Sequence, residues 1–371
     1  MRAAVVLDNL LNKLSFLNMA VSSKTQLPAL TGFLIETEKG KIKISSSDLE
    51  IGIVTTLPAS IEEEGTALVP AKPLTELLTS LTDEKIEIEK KDGSMTISGK
   101  KAKASLVCLD ETEFPKVVAD KGEEAGRLKK EDAQKKFLRT SFAAAQDAAR
   151  PAMSGVLIKT AGGKTAAVAT DSHRLSLDAD ITVRGVAGFN ALVPARTIKA
   201  LLSYKGAGDI VVYVSQKNNQ IIFEQDNTLL VGRLIDAQYP EYEKIIPKDF
   251  ATKTEFDREE MQSALKTAAI FARENANIIR FSVRKNSVDV FAKGSGVGEN
   301  KTEVVAQTTG EENEIAFNIR YVQEFLQNTD GEKVVFEMTG PLNPGVFKIA
   351  EDPSFIHLIM PIRVKDEELT A

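Results

Sequence analysis

At 371 residues, with 43% hydrophobic and 27% charged side chains, the chain has the composition of a folded globular protein and is too long for one hydrophobic core, so two or three domains are expected. Lys and Arg number 47 against 53 Asp and Glu, a net charge of -6, which excludes a grip on nucleic acid by bulk charge and leaves room only for a local basic face. One cysteine, Cys108, and two histidines, His173 and His357, exclude a disulfide framework and a structural zinc site.

The opening Met1-Arg2 and the apolar run Ala3–Leu7, ended by Asp8, are too short for a secretion signal. No uncharged stretch reaches the ~18 to 20 residues that span a bilayer, so a cytoplasmic protein in a reducing compartment is expected. Leu7, Leu10, Leu11, Leu14 and Leu17 then follow a helical spacing. Lys41–Ser45 and Lys85–Glu89 alternate as strands do, with turns at Glu38-Lys39-Gly40 and Asp92-Gly93. Val69-Pro70-Ala71 opens a short second helix, with proline placed in its first turn. Cys108, inside the apolar run Leu106–Leu109, reads as a buried small hydrophobe and not as a nucleophile. Ala133–Ala144 is helical, Val193-Pro194-Ala195 opens another short helix, and Ile210–Val214 reads as a strand. Met261, Leu265, Ala268, Ala269 and Ala272 mark a further amphipathic helix, with Asp257 and Glu260 as its capping pair, and Lys333–Glu337 is a late strand.

These elements repeat. Pro28–Thr37 (Pro-Ala-Leu-Thr-Gly-Phe-Leu-Ile-Glu-Thr) recurs as Pro151–Thr160 (Pro-Ala-Met-Ser-Gly-Val-Leu-Ile-Lys-Thr), with six of ten positions identical. At the same interval Asp48 falls on Asp171. Ala67-Leu-Val-Pro-Ala71 returns unchanged as Ala191–Ala195, each copy followed by a cation, Lys72 or Arg196, and a Leu-Leu pair; Phe114-Pro115 returns as Tyr239-Pro240. A fainter third copy places Phe317-Asn-Ile-Arg320 on Val193–Arg196. Three units of helix, strands, helix, strands account for the chain: an α+β fold with domains at 1–122, 126–247 and 250–371, joined by the charged stretch Asp120–Gly126 and the Pro247-Lys248-Asp249 turn.

No catalytic pattern survives inspection. Gly162-Gly163-Lys164-Thr165 imitates the end of a phosphate loop, but Ile158 stands where its first glycine belongs. Gly294–Gly298 misplaces the third glycine of a dinucleotide fingerprint, at Glu299, and reads as a loop; Glu62–Glu64 and Asp366–Glu368 are solvated charge runs. The informative difference lies between the copies: where the first unit has Glu50-Ile51-Gly52, the second has His173-Arg174-Leu175, a basic, hydrogen-bonding stretch beside a strand.

The run Thr170–Leu175 (Thr-Asp-Ser-His-Arg-Leu), with Arg150–Gly155 before it and Gln238–Tyr242 and Met360–Val364 after it, resembles the bacterial DNA polymerase III beta subunit family, the replicative sliding clamps, over the whole chain. Tripling of the unit is that family's organisation too. The resemblance implies three clamp domains, each with two helices on antiparallel sheets. Two copies would close head to tail into a ring around duplex DNA, with no catalysis of its own and no cofactor or metal. Retention by topology needs only loose phosphate contacts, which agrees with the modest charge. Lys24, Lys72, Arg150 and Arg196 would face DNA, with further lumen cations at Lys13, Lys135, Lys136, Arg139, Lys199, Lys266 and Arg320.

A groove for linear peptides rich in Gln, Leu and Phe would be lined by Met153, Thr170, His173, Arg174, Leu175, Pro240, Ile245, Leu358, Met360, Pro361, Ile362 and Arg363. The ring seam would set Leu77, Leu81, Lys101, Lys103 and Leu106 against Ile270, Phe271 and the acids at Glu299 and Glu303. Implied partners are duplex DNA, a second copy, the alpha subunit of DNA polymerase III, the clamp loader, and other clamp-binding polymerases and repair proteins, in a nucleoid-associated setting without membrane contact. Departures from the family pattern are Ser172 and Lys244 in place of Gly and Arg, Ile362 in place of Met, Pro151 and Ala152 in place of aromatic residues, and a tail after Val364 that would partly shield the groove. Rival readings are a peptide-binding repeat scaffold that never encircles DNA and, more distantly, an enzyme assembled across the repeats.

Overall fold

The computed structural model describes residues 1–118, 120–147, 149–161, 164–184 and 190–364. The chain forms two compact units, the first built mainly from residues 1–130 and 196–234, the second mainly from 131–182 and the chain from 235 on. Residues 162 and 163 of the loop-like Gly-Gly-Lys-Thr and the tail after Val364 lie outside the described residues.

Among the described residues six helices form: α1 (Leu7–Leu17), α2 (Ala71–Ser80), α3 (Lys130–Ser141), α4 (Ala195–Ser203), α5 (Arg258–Ala272) and α6 (Ile319–Gln327). None is long and apolar enough to cross a membrane. Of the expected stripes, Leu7, Leu10, Leu14 and Leu17 are buried in α1, with Leu11 half-buried, and Met261, Leu265, Ala268, Ala269 and Ala272 are buried in α5. Asp257 caps α5 by accepting from the Glu259 and Glu260 amides, each at 3.0 Å. Glu260 does not reciprocate; its carboxylate accepts instead from the Val305 amide at 3.2 Å, tying the helix to a neighbouring strand. Pro70 is the N-cap of α2 and Pro194 ends a strand, so both stand one residue ahead of the expected first turn. Their extended backbone belongs to the strand that delivers the helix.

Among the described residues the strand pairs are antiparallel, and one four-stranded order occurs three times. It runs Gly65–Pro70, Gly32–Glu38, Lys41–Ser47, Ile51–Pro58 in the first unit. In the second unit it runs Asn190–Pro194, Gly155–Ala161, Lys164–Thr170, Arg174–Ile181, and again Asn313–Asn318, Ile278–Val283, Ser287–Gly294, Gly298–Gly310. Each set is extended by strands of a second kind. Ile51–Pro58 pairs with Thr228–Arg233 to make a nine-stranded sheet, and Arg174–Ile181 pairs with Asp352–Ile359 to make a twelve-stranded one. A five-stranded sheet in the first unit ends at Lys103–Val107. That edge corrects the expectation for Cys108: it is half-buried and Val107 beside it is 75% exposed, because no described strand lies beyond this edge. The core of the second unit is a phenylalanine cluster in which Phe281, Phe317 and Phe336 meet edge to face at 5.8 to 6.1 Å, the geometry ring quadrupoles favour.

The repeat extends to one turn built twice. In the first unit the Asp48 carboxylate accepts from the Glu50 and Ile51 amides at 3.1 and 2.8 Å, and the Ser47 hydroxyl accepts from the Leu49 amide at 3.1 Å. In the second, Asp171 accepts from His173 and Arg174 at 2.9 and 3.0 Å, and Thr170 accepts from Ser172 at 3.1 Å. Both turns need a left-handed residue: Leu49 has φ of 76° and Ser172 of 77°. Glycine is at home there, and a leucine whose side chain is 53% exposed gains little burial to offset the cost. Leu49→Gly is expected to raise the stability of the first unit by about 1 kcal/mol in urea unfolding, with no change in the slope.

Candidate functional site

The turn at Thr170–Arg174 is the place where the second unit gathers its unusual chemistry. Strand Arg174–Ile181 pairs with Asp352–Ile359 in the register Arg174 to Ile359 and Leu175 to Leu358, which carries the chain after Ile359 alongside the turn. The Met360 amide then donates to the His173 carbonyl at 2.8 Å, and two residues on, Ile362 donates to Ala316 at 2.8 Å, on the edge strand Asn313–Asn318.

Alternation along Arg174–Ile181 separates two faces. On one, Leu175 and Leu358 are sealed from solvent with Val168, Tyr242 and Val346, and Leu177 and Tyr239 pack against that cluster. Leu175 and Leu358 are thus a floor and not an open lining. Burial pushes the Tyr242 hydroxyl up to about 12 and that of Tyr239, which bonds the Val168 carbonyl at 3.3 Å, higher still, so both are neutral spacers. Of the other expected lining residues, Pro240, Ile245, Met360, His173 and Arg363 are exposed, while Met153, Pro361 and Ile362 are half-buried. Pro240 and Ile245 flank Tyr242 in sequence, whereas Met153 is tied by its amide to the Arg150 carbonyl at 3.0 Å.

On the other face Arg174, Ser176 and Asp178 form a buried polar row. Arg174, expected to line the groove, is only 6% exposed. Its Nε donates to Asp171 at 3.1 Å, one terminal nitrogen to Glu324 at 2.5 Å and the other to the Phe142 carbonyl at 3.0 Å. Its guanidinium lies 4.8 Å from the centre of the Tyr321 ring and 5.4 Å from that of Phe142. Thr170 is buried too, its hydroxyl donating to the Arg174 carbonyl at 2.6 Å. At the far end Asp178 meets Arg139 at 2.5 Å, and Arg139 also reaches Asp352 at 2.8 Å. Lys136 joins this group through Asp132 at 3.4 Å. Burial pushes the Asp178 carboxyl up against the pull of Arg139 and Lys136. Arg139 and Lys136 are therefore not lumen cations: α3 turns them inward, where a carboxylate on the neighbouring strand holds them.

The remaining expected cations divide. Lys24 and Lys72 are exposed, as are Lys199, Lys266 and Arg320. Arg196 is half-exposed but bridges Asp48 at 2.5 Å and Glu50 at 3.5 Å, and Arg150 donates to the Ser172 hydroxyl at 2.7 Å. Lys135 pairs with Asp330 at 2.9 Å, and Lys13 donates to the Tyr204 hydroxyl at 2.6 Å. Of the seam residues, Lys101 and Lys103 are exposed at the edge of the five-stranded sheet and Leu77, Leu81 and Leu106 are half-buried; Ile270 is 58% exposed and Phe271 half-buried at the end of α5. Sequence reasoning missed Tyr321, Glu324 and Phe142, and singled out Tyr242 only as part of the Gln238–Tyr242 run. Tyr321 and Glu324 carried a faint signal, one face of a helix after Asn318, but nothing local tied that face to a turn so distant in the chain.

Between the two ends of the polar row lies His357, fully buried, with Nδ1 2.7 Å from the Ser176 hydroxyl and its ring 5.2 Å from both Phe142 and Phe325. Burial first, and the charge of Arg174 second, hold the imidazole well below its ordinary value, so it folds neutral. The unfolded chain takes up a proton below about pH 6.5, so the stability this residue contributes is complete above that pH and is lost progressively as pH falls from there toward the lower pKa of the folded state. Urea unfolding is expected to show that loss setting in below about pH 6.5 and growing steadily as the pH falls further, and His357→Gln to flatten it.

Comparison with known proteins covers the chain in three consecutive pieces. Family models of the DNA polymerase III beta subunit match residues 1–118 (N-terminal domain), 127–241 (central domain) and 243–363 (C-terminal domain). The beta sliding clamp of Chlamydia pneumoniae is 27% identical over 370 residues, covering 99% of this chain and 100% of that one. That of Bacillus subtilis is 27% identical over 377 residues, covering 98% and 100%. The crystal structure of the DNA polymerase sliding clamp from Bacillus subtilis shares the fold at a TM-score of 0.94 and 25% identity, over 98% of this chain and 100% of that one.

Proposed function

The chain belongs to the DNA polymerase III beta subunit family, the beta sliding clamps, non-catalytic processivity factors of DNA replication, and from that membership we propose that two copies of it close head to tail into a ring around duplex DNA. The observation that carries this reading is a series of strand joins with one member missing. Within the chain, the last strand of a four-stranded set pairs with the last strand of the following sheet twice: Ile51–Pro58 with Thr228–Arg233, and Arg174–Ile181 with Asp352–Ile359. The third member of each kind, residues 298–305 and strand Lys103–Val107, has a free edge among the described residues. An open edge is an aggregation hazard unless something pairs with it. A second copy supplies each edge with its complement, and a heterologous contact of this kind closes into a ring when the rotation allows. Apolar side chains beside the two edges, Val107 at 75% exposed, Val305 at 67% and Ile270 at 58%, agree with a covered seam that includes Leu77, Leu81, Lys101, Lys103, Leu106 and Phe271.

Lys72, Arg196 and Arg320 support DNA in the ring. Each is the second residue of the second helix of its copy, α2, α4 or α6. A cation in a helix's first turn opposes the dipole by roughly 0.3 to 1 kcal/mol, so its occurrence in all three copies favours a shared anionic ligand. With Lys24 and Arg150 these make few, loose phosphate contacts, suited to sliding. Domain limits at 1–122, 126–247 and 250–371 belong to the same reading. The exposed Pro240, Ile245, Met360 and His173 around the Leu175 and Leu358 floor suit a short apolar peptide, and on this reading polymerase, loader and repair partners dock there in a cytoplasmic, nucleoid-associated setting. Such a peptide alone would bind at about micromolar strength.

The chain loaded on nicked circular duplex should stay bound at high salt and fall off when the circle is linearised. Ile270→Asp should leave monomers that are never retained. Equal loss from circle and line at high salt would show that charge and not enclosure holds the DNA.

A further inference from the structure

We infer that Glu324 is a positioning residue for the partner groove: through Arg174 it holds the Thr170–Arg174 turn, and with it the Met360 segment, in the shape that receives a peptide. The inference rests on the groove reading above. Arg174 cannot serve as a ready contact for a ligand, because all three guanidinium nitrogens are bonded, to Asp171, Glu324 and the Phe142 carbonyl, and its plane lies between two rings. Its backbone closes the same turn from both sides. The Arg174 amide donates to Asp171, and its carbonyl accepts from the Thr170 hydroxyl. The turn ends in the His173 carbonyl that accepts the Met360 amide. A continuous line of bonds therefore runs from a carboxylate on α6 to the exposed methionine of the groove.

The first unit shows what the turn needs for itself. There the identical backbone turn stands with Ile51 in place of Arg174, only 2% exposed, and with its aspartate held by Arg196 from α4. The turn therefore forms without an arginine at that position or a helix-borne acid behind it. The Glu324 clamp is present only in the copy whose turn bears His173 and meets the segment after Ile359. Glu324 itself is 41% exposed, so it can be changed without opening the core.

The test uses the full-length chain, a short synthetic peptide rich in Gln, Leu and Phe, and the variants Glu324→Ala, Glu324→Gln and Glu324→Asp. If Glu324 positions, the Met360 and Ile362 amides of Glu324→Ala should lose their protection from hydrogen exchange while the thermal midpoint stays with wild type. Peptide association should then slow about fivefold with dissociation unchanged, because only the fraction in the competent shape binds. Glu324→Asp and Glu324→Gln, which keep an acceptor for Arg174, should recover part of both effects. Faster dissociation with unchanged association would overturn the inference, since that marks a residue touching the peptide; so would full protection of both amides in Glu324→Ala. If wild type binds no peptide, the groove reading fails, and the exchange rates alone still decide whether Glu324 holds the segment.

Discussion

The antiparallel ladder between Arg174–Ile181 and Asp352–Ile359 is the constraint on which the rest of the second unit depends. It turns two open edges into the middle of a twelve-stranded sheet and fixes the register that brings the His173 turn against Met360. A slip of one residue would exchange the two faces of the strand. It would carry Leu175 out of the apolar floor and leave Arg139 and Asp178 charged and unpaired in the interior. Losing one partner of such a buried pair costs about 3 to 5 kcal/mol, whereas replacing the whole group by packed apolar residues is often neutral. The ionic row therefore adds little net stability over an apolar one, and its effect is to penalise every register but one.

The first unit makes the same join with different chemistry. Its ladder runs from Gly52 to Val231 and from Thr55 to Thr228, and the residues in the places of Arg174 and Ser176 are Ile51 and Ile53. At the far end hydroxyls stand in place of the carboxylate: Thr55 and Thr228 lie 2.8 Å apart, Tyr204 donates to Thr228 at 2.8 Å, and the Lys13 ammonium donates to Tyr204 at 2.6 Å. One backbone plan thus carries Ile51 and Ile53 along the seam in one place and a buried, aromatic-lined ionic row in the other. Only the charged seam sits beside a turn whose exposed residue is a histidine.

Much of this was legible in the sequence because repetition made the chain its own alignment. The helices of α1 and α5, the hairpins at Gly40 and Gly93, and the twin aspartates of the turn follow from spacing and turn chemistry that act over a few residues. The left-handed backbone at Ser172 gives a physical reason for the glycine that the family resemblance leads one to expect there. What spacing could not show was depth. Arg139 and Lys136 look like solvated helix cations until Asp178, on a strand far along the chain, is seen beneath them. Arg174 looks like a ligand contact until Tyr321 and Glu324 close over it. Cys108 looks buried until its strand proves to be an edge. Each miss turns on whether a distant segment packs over the residue, which no local pattern encodes.

Function follows from the same geometry. A strand join used twice inside the chain leaves one complementary pair of edges over, residues 298–305 and Lys103–Val107, and the proposed ring pairs those two without catalysis or strong charge. The direct measurement is amide hydrogen exchange of strand Lys103–Val107 and residues 298–305 as a function of protein concentration. The account predicts that both segments are protected in the concentrated protein and lose protection together on dilution, in step with the fall in mass from dimer to monomer. Protection that is absent at every concentration, or confined to one of the two segments, would contradict it.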